Sequence, residues 1–393
     1  MKKIKMMMAA ALGVLVSCGS VKSGEEAIAA SRESKVVVAY VTSWSEVMPD
    51  PQYMTHINYA FGHVNESFNG VKIDNEERLR QIVDLRKQKP ELKVLLSIGG
   101  WGSGRFSEMA ANDEYRRAFA ADCDRVVKEF ALDGIDIDWE YPTSSMANIS
   151  SSPDDTENFT LLMQDIRAAI GNEKELTLAT VASARYIDFK AILPSVDFVN
   201  IMAYDMASAP KHHSALYPSG HSGDITSDGA VTAHLKAGVP PSKLVMGMPF
   251  YGRGGDGYPS FQDYNKVGNT DTQYTEKWDE VAQVPYLADK NDTLVFGFEN
   301  PRSLAIKCQY ILDKDLLGGM YWDYSGDNEQ GDLRRTVAEN LLGKPHKAKV
   351  LVLTERGGQH GGFTDAGLRW LAAEGAKGNF SITEINKIGR AHV

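Results

Sequence analysis

Residues 131–142 read Ala-Leu-Asp-Gly-Ile-Asp-Ile-Asp-Trp-Glu-Tyr-Pro, and within them Asp136, Asp138 and Glu140 alternate with Ile135, Ile137 and Trp139. Side chains of a β-strand alternate between faces, so the three carboxylates share one face, with Cβ atoms roughly 6.5–7 Å apart from one to the next. The apolar residues take the other face. A solvated surface strand can alternate in this way, but it favours Thr, Lys or charges of mixed sign. Three acids of one sign raise each other's proton affinity and cost stability, which points to catalysis rather than to a solvated face.

Outward from this strand, short β-like runs alternate with helical patterns. The strand candidates are Lys35–Val41, His56–Phe61, Lys93–Ile98, Gly134–Glu140, Leu176–Val181, Phe198–Tyr204, Leu244–Phe250 and Gly319–Trp322. Several are continuously apolar, as strands of a covered parallel sheet are. Helical segments lie between and after them at Glu76–Lys87, Glu108–Phe130, Glu157–Ile170, Val231–Ala237, Ser303–Asp313 and Leu333–Leu342. The alternation predicts an α/β fold, a (β/α)₈ TIM barrel. Catalytic groups of that fold sit at the C-terminal ends of strands, and Glu140 ends the fourth candidate just before Pro142.

Asp133-Gly134-Ile135-Asp136-Ile137-Asp138-Trp139-Glu140 fits the D-G-x-D-x-D-x-E signature of family 18 glycoside hydrolases, the chitinases and their relatives. The resemblance covers about Lys35 to Gly343. Ser97-Ile98-Gly99-Gly100-Trp101 resembles the family's S-x-G-G segment and Met202-Ala203-Tyr204-Asp205 its M-x-Y-D. Met248-Pro249-Phe250-Tyr251-Gly252-Arg253 and Gly318-Gly319-Met320-Tyr321-Trp322 resemble its seventh and eighth strand ends.

The resemblance implies a retaining, endo-acting chitinase-like hydrolase that cuts β-1,4 bonds of N-acetylglucosamine polymers. Its mechanism is substrate-assisted: Glu140 is the acid, and the sugar's own acetamido oxygen attacks to form an oxazolinium ion. Asp138 would steady the acetamido nitrogen, Asp136 would modulate the charge of Asp138, and Tyr204 would hydrogen-bond the acetamido oxygen. Asp133 falls off the two-residue period and reads as a structural residue at the strand entrance. Aromatic faces complement the CH faces of a pyranose, and the resemblance implies that Trp322 would floor the scissile-sugar subsite. Further substrate-binding candidates are Asp205, Met202, Tyr40, Trp44, Phe61, Gly99, Gly100, Trp101, Tyr251 and Arg253. Two alternatives remain: an endo-β-N-acetylglucosaminidase acting on N-glycan cores, and a noncatalytic chitin-binding lectin, which the retained Glu140 disfavours.

A chain of 393 residues, 43% hydrophobic and 24% charged, can bury at least one large core. Its formal charge of −10 argues against a grip on nucleic acid and leaves neutral polymers such as chitin compatible. No Cys or His spacing suggests a metal, no cofactor is expected, and a monomer is. Cys123 and Cys308 read as buried hydrophobes, His212 and His213 as solvated loop residues, and Trp278 and Trp370 as core.

Lys2, Lys3 and Lys5 precede a short apolar run, Met6 to Val16, in the charge order of a secretory signal. Leu15-Val16-Ser17-Cys18 resembles a bacterial lipobox, so residues 1–18 read as a lipoprotein signal with Cys18 lipidated, and 19–34 as a tether. The expected place is the bacterial cell envelope, lipid-anchored, periplasmic or at the cell surface. Within the 35–343 barrel, residues 254–298 read as an insertion before the eighth strand. It resembles a shortened form of the α+β wall of processive chitinases, which favours an open, endo-acting cleft. Residues 348–387 predict strand Lys349–Thr354, a Gly-rich loop, helix Asp365–Glu374 and strand Phe380–Ile385. They resemble the start of a trehalose-utilisation or glutamine-amidotransferase-like domain, too short to build its sheet. Ile388 to Val393 resembles one reading frame of a DNA-sequencing adapter, so the natural protein is expected to continue past about Lys387.

Overall fold

The structure is a computed structural model, and it describes residues 35–255, 257–267, 273–343, 348–354, 369–370 and 380–386. Alternation along its first strand sets the layers. In β1 (Val36–Thr42), Val37, Ala39 and Val41 join the large apolar cluster shared with the helices, while Val38 and Tyr40 join a small cluster with Ala60, Phe61, Phe198, Val245 and Met320. The first cluster is the seam between sheet and helices, and the second fills the inside of the sheet.

After β1 come β2 (His56–Val64), a short β3 (Val71–Ile73), β4 (Lys93–Gly99), β5 (Gly134–Asp138), β6 (Glu175–Val181), β7 (Phe198–Met202) and β8 (Leu244–Pro249). Five strands of an insertion, β9 to β13, precede β14 (Gly318–Trp322). The parallel order β1-β14-β8-β7-β6-β5-β4-β2 is closed by pairing of β1 with β2, and β3 lies antiparallel on β2. This is the expected eight-stranded barrel, and closure leaves it no free edge.

The helices are α1 (Glu76–Val83), α2 (Phe106–Ala111), α3 (Asp113–Glu129), α4 (Asp155–Ile170), α5 (Phe189–Ile192), α6 (Ser227–Lys236), α7 (Pro301–Asp313) and α8 (Asp332–Leu341). The single helix expected over Glu108–Phe130 is two, broken at Asn112. Asn112 takes extended backbone and accepts hydrogen bonds from the N–H groups of Glu114 and Tyr115, a local alternative to continuing the first helix. α7 opens with a reciprocal cap between Asn300 and Ser303. Cys123 and Cys308 are buried, as expected of small hydrophobes.

The insertion differs from its expected α+β character. β9 (Tyr251–Gly254), β10 (Gln262–Asp263), β11 (Thr275–Asp279), β12 (Val284–Ala288) and β13 (Leu294–Gly297) form an antiparallel sheet in the order β10-β9-β13-β12-β11. Among the described residues its helical content is one 3₁₀ turn, Tyr264–Lys266. Tyr251 and Arg253 thus belong to this second sheet rather than to the end of the seventh barrel strand.

Near the C-terminus β15 (Ala348–Thr354) and β16 (Phe380–Asn386) pair in parallel, Ala348 opposite Phe380 and Thr354 opposite Asn386. The expected Gly-rich loop and most of the expected helix fall outside the described residues, as do Cys18, the tether and residues 388–393. Trp370 is 64% exposed and so is not core.

Candidate active site

Asp136 of β5 points into the barrel and is completely buried. Its Oδ2 accepts from Tyr40 Oη at 2.9 Å and Ser97 Oγ at 2.8 Å, and its Oδ1 from Thr177 Oγ1 at 2.6 Å and Asn200 Nδ2 at 3.3 Å. Each donor comes from a different barrel strand: Ser97 and Thr177 from β4 and β6, paired in register on either side of Asp136, Asn200 from β7, and Tyr40 from β1, which closure of the sheet brings across the barrel. Burial raises the proton affinity of Asp136, and the four donors oppose it.

Asp138, two residues on, is buried at the same face, and its Oδ1 has no hydrogen-bond partner among the described residues. Burial first, then the charges of Glu140 and Asp136, push its pKa well above the carboxylate range. The strand ends there, and Glu140 stands in the following loop rather than on the expected strand end. Its carboxyl is pushed up to about 7, chiefly by burial; the charge of Asp205 adds to this and a hydrogen bond with Tyr141 opposes it. Trp139 turns the other way and stacks on Phe106 at 5.3 Å, which holds the strand end against α2.

Gly99 and Gly100 do not line the cleft; they let backbone pass beneath it. Gly100 N donates to Asp138 O at 2.8 Å, and a Cβ on Gly99 would sit 2.0 Å from that same oxygen. A Cβ on Gly100 would meet the Phe61 ring at 2.7 Å, and both glycines have positive φ, 131° and 92°. Asp133 takes the structural place read for it, accepting from Val94 N at 2.7 Å and pairing with Arg86.

Above the carboxylates lies a cleft of about 650 Å³. One side carries Trp322, whose ring lies 5.6 Å from Phe61, 5.7 Å from Tyr40 and 6.4 Å from Trp44. The cleft is also lined by Met202, Tyr204, Asp205, Tyr251 and Arg253, and by Trp101, which meets Tyr141 edge-on at 6.5 Å. Tyr204 Oη has the weak Met320 Sδ at 3.8 Å.

Sequence reasoning missed Tyr141, Met146, Met206 and Phe261, all of which line the cleft. Tyr141 had a usable signal, since it follows Glu140 directly and sits over Tyr186 at 5.5 Å. Phe261 had none: the insertion's sheet brings it onto Tyr251, ring centroids 4.6 Å apart.

Asp205 is held at both oxygens by the Arg253 guanidinium, Nε donating to Oδ1 at 2.7 Å and Nη2 to Oδ2 at 2.6 Å, and His213 Nδ1 approaches it to 3.4 Å without hydrogen-bond alignment. Burial alone would raise its pKa, but Arg253 and His213 hold it well below the usual carboxylate range. The two histidines are therefore not the solvated loop residues expected. His213 is fully buried against Tyr251 at 5.4 Å. His212 is buried with Nε2 3.2 Å from Asp279 Oδ2, and burial lowers its pKa to about 4 against the pull of that carboxylate.

The cause lies in α7, far along the sequence. Lys307 and Glu299 form a completely buried ion pair; Lys307 Nζ donates to Ser214 O at 2.5 Å and Ser214 Oγ to Glu299 Oε1 at 2.6 Å, drawing the histidine segment inward. Trp278 is half-buried under the Arg302 guanidinium, 3.8 Å from its ring centre, rather than core.

Residues 36–327 match the sequence profile of glycosyl hydrolases family 18. The chain belongs to that family. This family 18 member is 31% identical over 350 residues to Chitotriosidase-1 of Mus musculus, covering 75% of this chain and 74% of that protein. To Chitinase A1 of Niallia circulans it is 29% identical over 413 residues, covering 78% of this chain and 58% of that one. The match thus spans less than two thirds of Chitinase A1. Among solved structures, a family 18 N-acetylglucosaminidase from Paenibacillus barengoltzii superposes with a TM-score of 0.72 at 32% identity, over 78% of this chain and all of that one. The Group IV chitinase of Ostrinia furnacalis gives a TM-score of 0.71 at 28% identity, over 78% and 99%. Its relatives place this family 18 member with the glycoside hydrolases of chitinase type.

Proposed function

We propose that the protein hydrolyses β-1,4 bonds of N-acetylglucosamine polymers with retained stereochemistry, the substrate supplying its own nucleophile. One observation carries this reading. The buried Asp138 leaves Oδ1 unpartnered beside a Glu140 whose pKa is about 7, while the other cleft carboxylate, Asp205, is committed to Arg253. A glycosidase using two carboxylates needs a free second one to attack or to activate water. Asp205 is not free, and Asp136 lies beneath in its cage of donors. Asp138, whose proton affinity is raised by burial and by the charges of Glu140 and Asp136, is a poor nucleophile better suited to accept the acetamido N–H.

Glu140 protonates the leaving oxygen as the glycosidic bond breaks. The acetamido oxygen bonds to the anomeric carbon, and positive charge spreads over the oxazolinium ring. Asp138 Oδ1 accepts the acetamido N–H. A cation forming there offsets both causes of Asp138's high proton affinity, burial and like charge, and so favours its ionised form when the ion appears. Tyr204 Oη donates to the acetamido oxygen. Glu140, now a base, takes a proton from the water that opens the ring. Trp44 and Trp101, 63% and 61% exposed, extend the aromatic lining on the Trp322 side and the Tyr141 side, which supports binding within a chain and endo action.

Glu140→Gln keeps the shape and removes the transferable proton, so hydrolysis of N-acetylglucosamine hexamer falls by about 10²–10⁴-fold while binding persists. Fully deacetylated oligomer, lacking the nucleophile, is not cut. Equal rates for Glu140→Gln and wild type, or equal cleavage of the deacetylated chain, would overturn the proposal.

A further inference from the structure

Three side chains that the mechanism does not use meet at the edge of the cleft. His63, near the end of β2, has Nδ1 2.8 Å from Ser103 Oγ and Nε2 2.9 Å from Asp74 Oδ2. Asp74 follows β3 and is itself anchored: its N–H donates to Phe61 O at 3.0 Å, and its carbonyl accepts from Tyr59 Oη at 3.0 Å. Ser103 belongs to the loop after β4 that carries Trp101.

That loop has little stiffness of its own, because Trp101 lies between Gly100 and Gly102, with φ of 92° and 81°. Its inner end is held by the Gly100 N to Asp138 O bond. Its outer end is held by Ser103 N to Gly100 O at 3.0 Å and by the side-chain bond to His63. Between the two, Trp101 stands out with most of its surface exposed, its edge on Tyr141. The trio has the composition of a hydrolytic triad, but Ser103's own N–H already donates within its turn and Ser103 is not among the residues that line the cleft above the carboxylates. A positioning role fits the geometry.

We propose that Asp74, His63 and Ser103 form a clamp that holds the Trp101 loop as a sugar platform, so that His63 and Ser103 set affinity for long substrates without touching the reacting atoms. The proposal rests on the reading of the cleft as a site for N-acetylglucosamine chains. The clamp holds in either charge state of His63. Neutral, Nε2–H donates to Asp74 and Nδ1 accepts from the serine hydroxyl; protonated, both nitrogens donate and the serine oxygen accepts.

Two measurements test it. In the free protein, amide hydrogen exchange across residues 100–104 accelerates in His63→Ala and in Ser103→Ala and returns to the wild-type rate in Ser103→Thr, which keeps a hydroxyl. In the Glu140→Gln background, calorimetry with N-acetylglucosamine hexamer shows about 3- to 10-fold weaker binding for either alanine variant, the size expected of one or two lost hydrogen bonds. The disaccharide is unaffected. In wild-type background, KM for the hexamer rises while kcat stays put, and adding His63→Ala to Trp101→Ala costs nothing further.

Unchanged exchange in both alanine variants, equal losses for hexamer and disaccharide, or an undiminished His63→Ala effect without Trp101 would each overturn the clamp. Faster exchange in a protein that neither binds nor cuts the hexamer would leave the clamp as the loop's mechanical support, and would overturn its role in sugar affinity together with the functional reading.

Discussion

Raising the pH through 7 should switch the enzyme off, and the size of the effect follows from the surroundings of Glu140. A carboxyl at its ordinary 4.5 is protonated at pH 7 in about one molecule in three hundred, whereas one at about 7 is protonated in about half, roughly 150-fold more usable acid. In the proposed mechanism the acid form of Glu140 is the active one. kcat/KM, which reports the free enzyme, is therefore flat on the acid side of this step and falls about tenfold per pH unit above it. Asp205→Asn tests the cause. It removes one negative charge that raises Glu140 and leaves Arg253 without its carboxylate, and both changes favour ionised Glu140. Burial, the larger cause, remains, so the midpoint moves down yet stays above 4.5. The assay is kcat/KM for an N-acetylglucosamine oligomer across pH, read for the position of the limb rather than its height. A wild-type limb near the ordinary glutamate value, or a limb that Asp205→Asn leaves in place, would refute this account.

Three further expectations concern stability and placement. Because the pKa of Glu140 is raised by folding, the wild type is favoured below 4.5 and loses stability as pH climbs toward 7; at pH 8 Glu140→Gln should be the more stable by up to about 3 kcal/mol, with the two alike at pH 4, and equal denaturant midpoints at pH 8 would contradict this. Lys307→Met leaves Glu299 buried and unpaired and should cost about 3–5 kcal/mol in urea unfolding, much of it recovered by adding Glu299→Leu; a cost near zero would show that the pair does not hold the Ser214 segment. We also propose that Cys18 carries a lipid anchor: wild type should partition with membranes and Cys18→Ala should not, and equal release of both would end the idea.

Sequence alone determined the parts of this protein that repeat locally. Alternation of Asp136, Asp138 and Glu140 with apolar neighbours, and of apolar runs with helical patterns, is written at the periods of strand and helix, so the barrel and the acid cluster could be read directly. Boundaries were less legible where one residue decides, as at Asn112 between α2 and α3 or Asp138 at the end of β5. Tertiary structure alone decided what depends on closure and on distant partners. Ser97 and Thr177 reach Asp136 from the strands paired on either side of it, and Tyr40 reaches it from β1 only because the sheet closes; no local pattern announces a donor for a carboxylate on another strand. His212 and His213 looked solvated in their Pro- and Ser-bearing loop. A lysine almost a hundred residues later, buried against Glu299, draws that loop inward and sets His213 beside Asp205. Periodicity records which face of an element is buried; it carries no information on which element comes to cover a loop, because that contact is made through space and not along the chain.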